Sequence, residues 1–113
     1  MQAIDKVQDC KNMGEVRTAI DALDDILVPL LVTRVGYMSE AARIKADASQ
    51  VRDEARIQAI VNRVRARART EGGQPDVIEA IYRAMMEACI AYEHREFARL
   101  RGQPVSDGMT NDA

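Results

Sequence analysis

The sequence predicts an all-α fold: a protomer of three helices with a long first helix, paired as an intertwined homodimer. Three observations lead there. Hydrophobic residues make up 47% of the chain, yet aromatic residues make up only 4% and Trp is absent. An apolar content of Ala, Ile, Leu, Val and Met suits helix packing better than a β-sandwich. The apolar residues recur at spacings of three and four, the period of one helix face. The first such stripe is too long for two shorter helices to cover, so a second copy of the chain is its natural partner.

A length of 113 residues allows one domain and not two. The first helix is predicted from Asn12-Met13-Gly14-Glu15, with Asn12 as cap and Glu15 as the partner of a capping box. Val16, Ile20, Leu23, Leu27 and Leu30 then form the stripe, which continues through Arg34, Tyr37, Ala41 and Ile44. Pro29 lies inside it, where a proline removes one hydrogen bond and costs about 3 kcal/mol. Because the pattern is uninterrupted on both sides, the expectation is a kinked but continuous helix. Asp47-Ala48-Ser49 marks its end, with Ser49 as the expected cap of the next helix.

The second helix is predicted from Ile57, Ile60, Val61, Val64 and Ala68, stopping at Gly72-Gly73. Pro75 suits the first turn of the third helix, whose expected buried side is Ile78, Ile81, Met85, Cys89, Tyr92 and Phe97. The helical domain spans residues 12–101, and poorly ordered ends are expected at 1–11 and 102–113.

Composition also excludes classes of function. Sixteen basic residues against eighteen acidic ones give a formal charge of −2, which is no basis for binding nucleic acid through bulk charge. Arg63, Arg65, Arg67 and Arg69 alternate around the second helix and are read as solvent-facing. The run from Ile26 to Val32 is too short to cross a bilayer. Cys10 and Cys89 are isolated and no secretion signal is evident, so reduced thiols in the cytoplasm are expected. A lone His94 gives no expectation of a metal, and no cofactor motif is present.

What remains are charges that interrupt apolar faces. Arg34 falls where the stripe calls for Leu, and Lys45 returns to nearly the same face roughly 16 Å further along. Each alone could reach solvent or pair with a carboxylate. Arg52-Asp53-Glu54-Ala55-Arg56 opens the second helix and, by itself, reads as a solvated charge run. On the third helix Glu93 stacks one turn after Cys89 among Met86, Ile90 and Phe97, where a carboxyl tends to hold its proton. Taken together, these cations fit the grip on a small dianion. Arg17 lies about 42 Å of straight helix from Lys45, so the two would meet only across two chains, or if the helix folded back.

The ordered set Val16-Arg17, Ala19-Ile20-Asp21, Asp24, Arg34, Ala41-Ala42-Arg43-Ile44-Lys45, Val51-Arg52-Asp53 and Arg56 resembles the all-helical chorismate mutase family, from about Asp9 to Phe97. The Asp9-Cys10 lead-in and the Ala-Ile-Asp run are similar to its isochorismate-pyruvate lyase branch. The resemblance implies a dimer joined through the first helix, with two equivalent sites that rearrange chorismate to prephenate in aromatic amino-acid biosynthesis. It implies that Arg34, with Arg17 of the partner subunit, clamps the substrate carboxylates. Lys45 would then meet a carboxylate and the ether oxygen, Arg56 the enolpyruvyl side, and Asp53 the ring hydroxyl. Cys89 would line the pocket, and Glu93 would be the second donor to the ether oxygen.

Two positions depart from the common pattern. Ile57 stands where many bacterial mutases have a Glu that binds the substrate hydroxyl, and an apolar residue there is closer to the lyase branch. Glu93 stands where bacterial mutases and lyases have Gln, and is similar to the fungal mutases. The expected activity is that of a chorismate mutase. The alternatives are an isochorismate-pyruvate lyase making salicylate and pyruvate, a non-catalytic helical binding module, and, more weakly, an arginine-rich nucleic-acid binder.

Overall fold

The computed structural model describes residues 6–104; of the ends expected to be poorly ordered, 1–5 and 105–113 lie outside the described residues. Three α-helices follow in order, α1 (Met13–Ile44), α2 (Glu54–Thr70) and α3 (Pro75–Leu100), with a short 3-10 turn, Ala48–Gln50, between the first two. There is no strand among the described residues. The chain falls into two compact units, Met1–Gly36 and Tyr37–Ala113.

The first unit is the leading part of α1 with the segment before it. Asn12 Oδ1 accepts from the Glu15 N–H at 2.9 Å, the predicted cap. The Glu15 carboxylate reaches back, but onto the Lys11 N–H at 2.9 Å, one residue earlier than a capping box requires. α1 runs unbroken through Pro29, so the continuous reading holds. Proline leaves the Asp25 carbonyl without its helical donor, and Asp25 is exposed, where water can serve instead. The apolar stripe of this unit is uncovered in the single chain: Ile20, Leu23, Leu27 and Leu30 are 49, 44, 49 and 62% exposed.

In the second unit α2 and α3 pack on each other. Ile57, Ile60, Val61 and Val64 meet Met86, with Ile78, Tyr82 and Ile90 at the margin. Burying each such side chain stabilises by about 1.5–3 kcal/mol. The buried set of α2 is the predicted one. On α3 the stripe is rotated slightly: Cys89 and Phe97 are buried as expected, but Ile81 is 57% exposed and Met86 is buried instead. A second small cluster, Ala42, Val51 and Phe97, attaches the end of α1 and the following loop to α3.

The start of α2 also differs from expectation. Ser49 does not cap α2; it lies inside the 3-10 turn, which Asp47 caps. Asp53 caps α2, its Oδ1 accepting from the Arg56 N–H at 3.0 Å. The sequence between Ile44 and Glu54 therefore contains an extra turn. Gln50 ties that turn down, its Oε1 accepting from the Ala46 and Asp47 N–H groups at 2.9 and 3.2 Å.

Gly72 ends α2 with φ 77°, a conformation other residues adopt only with strain. Its N–H reaches Arg69 O, and the Gly73 N–H reaches Ala68 O at 2.8 Å, so both orphan carbonyls are satisfied. Arg65 is not solvent-facing as predicted. Its guanidinium pairs with Asp76 and Glu79 at 2.8 and 2.7 Å and fastens α2 to the start of α3.

Candidate active site

Lys45 directly follows the last residue of α1, and Glu93 sits in the last third of α3. The Lys45 ammonium donates to Glu93 Oε2 at 2.7 Å and to the Val51 carbonyl at 3.3 Å. The two side chains are 27 and 5% exposed, so the carboxylate is buried and the ammonium reaches the surface. An ammonium has three donors. Two are engaged by these acceptors, and the side chain remains partly exposed.

Lys45 and Asp53 line one open depression of about 660 Å³ together with Ile44, Ala46, Gln50, Arg52 and Glu54. Asp53 enters it while its Oδ1 serves the helix cap. The cap also fixes Arg56 on the first turn of α2, where its side chain is exposed. Arg52 makes a double hydrogen bond with Glu87 at 3.1 and 2.7 Å and a third to Glu54 at 2.7 Å. Those carboxylates raise the Arg52 pKa well above its ordinary value, Glu87 most, and they anchor it to α2 and α3.

The remaining predicted residues are distributed as follows. Cys89 is 4% exposed, one turn before Glu93. Ile57 is 8% exposed and belongs to the core between α2 and α3. Arg17 and Arg34 belong to the first unit, Arg17 exposed and Arg34 half-buried. Within the second unit the structure thus brings Lys45 to Glu93, and Asp53 to Arg56.

Several participants were not legible beforehand. The Val51 carbonyl holds Lys45, and no side-chain pattern announces a carbonyl. Ser39 donates to Glu96 Oε1 at 3.0 Å and lies 3.2 Å from the Tyr92 hydroxyl. Glu96 is buried and also takes two bonds from Arg99 at 2.9 Å. The Arg99 hydrogen bonds hold its carboxyl below the ordinary value, with Ser39 helping and burial opposing. Glu93 and Glu96, one turn apart on α3, thus hold α1 residues Ser39 and, just beyond the helix, Lys45.

A family model described as chorismate mutase type II matches residues 16–94, which cover Arg17, Arg34, Lys45, Arg56 and Glu93. The chain belongs to the type II chorismate mutase family. Among curated proteins it is similar to the isochorismate pyruvate lyase of Pseudomonas aeruginosa, 25% identical over 95 residues that make up 84% of this chain and 94% of the relative. Membership makes this an enzyme of the chorismate mutase type. It also agrees with the chemistry of the site, where a cation and a carboxyl group face each other at the edge of a buried surface. No described helix is long and apolar enough to cross a membrane.

Proposed function

We propose that the protein is a chorismate mutase, converting chorismate to prephenate for aromatic amino-acid biosynthesis. The observation that carries the reading is the Lys45 ammonium, held by Glu93 and the Val51 carbonyl and partly exposed. In the rearrangement one carbon–carbon bond forms as the ether carbon–oxygen bond breaks, and negative charge builds on the ether oxygen. A cation fixed in advance stabilises that charge without reorganising during the reaction. Protonated, Glu93 supplies a second donor to the same oxygen. Arg34 and Arg56 match the substrate carboxylates, Asp53 the ring hydroxyl, and Cys89 and Ile57 the apolar walls.

The site is completed by Arg17 of a second copy. The uncovered stripe Ile20, Leu23, Leu27 and Leu30 supports a dimer through α1, since this much aliphatic surface on one helix favours association. The protein then acts as a cytoplasmic homodimer with two equivalent sites.

Isochorismate-pyruvate lyase is the second reading, and Ile57 favours it. A buried aliphatic side chain cannot bind a hydroxyl, and the lyase-like sequence relationship points the same way. The deciding experiment offers chorismate and isochorismate separately to the purified protein. Prephenate from chorismate supports the mutase, and salicylate with pyruvate from isochorismate supports the lyase. Turnover of neither by folded protein would leave the non-catalytic binding module.

A further inference from the structure

Glu93, Phe97 and Arg101 stand at successive i,i+4 positions and so form one stripe along the end of α3. Glu93 takes the Lys45 ammonium. Eight residues on, Arg101 takes the Lys45 backbone: Nη2 donates to Lys45 O at 2.7 Å, and Nη1 donates to Ala42 O at 3.0 Å. Between them Phe97 packs on Ala42 and Val51, and the Arg101 guanidinium lies 3.6 Å from the centre of the Phe97 ring.

We propose that Arg101 is a positioning residue for Lys45, clamping its backbone while Glu93 holds its ammonium. The inference rests on the mutase-type reading of Lys45. Arg101 lies beyond the residues matched by the family model.

The clamp has a physical logic. The last carbonyls of a helix lack partners within it and carry its partial negative charge. A guanidinium satisfies two of them from one rigid plane, which an ammonium cannot do. Its own backbone is fixed in turn. Arg101 is the C-cap of α3, followed by Gly102 at φ 65°, whose N–H reaches Arg99 O while the Gln103 N–H reaches Ala98 O at 2.8 Å. The Lys45 N–H still bonds to Ala41 O at 2.9 Å, and the Lys45 carbonyl, just past the last helical residue, is the group that Arg101 holds. With its carbonyl and its ammonium both tied to one helix, the side chain spans a set distance between them.

The test compares Arg101→Ala, Arg101→Lys and, as a control, Arg65→Ala, which removes an α2–α3 fastening away from Lys45. Arg101→Lys keeps the charge and guards against a fold lost in the alanine variant. Both Arg101 variants should lose kcat on the order of 10- to 10²-fold, the scale of misplacing a catalytic group by about 1 Å, with KM changing less than about threefold. Arg65→Ala should lower the melting temperature and leave kcat within about twofold.

A second readout needs no turnover. The lysines of the chain are Lys6, Lys11 and Lys45, so competitive acetylation with acetic anhydride, read by mass spectrometry, resolves each. Lys45 should be slow relative to Lys6 and Lys11 in the unaltered protein and in Arg65→Ala, and faster in both Arg101 variants. Unchanged Lys45 acetylation in folded Arg101→Lys, or an equal kcat loss in Arg65→Ala, would overturn the proposal. If the unaltered protein turns over neither substrate, the functional reading fails and acetylation alone decides the role of Arg101.

Discussion

Lys45 Nζ lies 2.7 Å from Glu93 Oε2, although 48 positions of sequence separate the two residues. In this arrangement Glu93 accepts a hydrogen bond as a carboxylate does. The proposed reaction asks it to donate one to the ether oxygen, and a carboxyl group donates only when protonated.

Glu93→Gln should therefore raise kcat/KM. Glutamine keeps the size of the side chain and always carries a donor, where a carboxylate only accepts. The measurement is kcat/KM for both proteins in the same neutral buffer. Equal values would remove Glu93 from the ether oxygen.

Lys45 should act on the chemical step. Lys45→Ala is expected to lower kcat on the order of 10²–10³-fold, as loss of an oxyanion donor does. It also strands a buried carboxylate, so the melting temperature should fall, and adding Glu93→Gln should recover part of that loss. A raised KM with kcat intact would assign Lys45 to substrate binding alone.

A site shared between two chains has a signature in mixed dimers. Arg17→Ala and Lys45→Ala proteins should each be nearly inactive. After subunit exchange in equal amounts, half the dimers are mixed and each holds one intact site, so about a quarter of full activity should return. Exchange confirmed by mass spectrometry without recovery would contradict the shared site.

Glu96 makes stability depend on acid. Its folded-state pKa is lowered, chiefly by Arg99. A depressed carboxyl contributes stability that is present above its unfolded value, about 4.3, and is lost as pH falls through the folded value. Melting temperature should therefore drop on acidification below about pH 4.3, and Glu96→Gln should start lower at neutrality and drop less. A variant that tracks the unaltered protein at every pH would show that the Ser39–Glu96–Arg99 cluster contributes nothing.

The sequence by itself determined the helices. Aliphatic spacing placed the buried residues of α2 from Ile57 to Ala68, because helix periodicity is local and burial follows it. Asn12, Gly72 and Pro75 marked helix ends because caps and turns depend on neighbouring residues alone. The charges on apolar faces singled out Arg34, Lys45 and Glu93 for attention before any contact was known.

Tertiary structure decided which partner each charge took. Arg65 could have faced water from its sequence, and only the crossing of α2 over α3 brought Asp76 and Glu79 within reach. Ile81 and Met86 exchanged places because the direction from which α2 approaches sets which side of α3 is covered. The lost cap at Ser49 was by contrast a local matter, since Asp47 and Gln50 close an extra turn and Asp53 then caps α2. Lys45 found Glu93, Val51 O and Arg101 through contacts between distant segments. Spacing along one helix fixes which residues share a face, but a distance across two helices depends on how they pack.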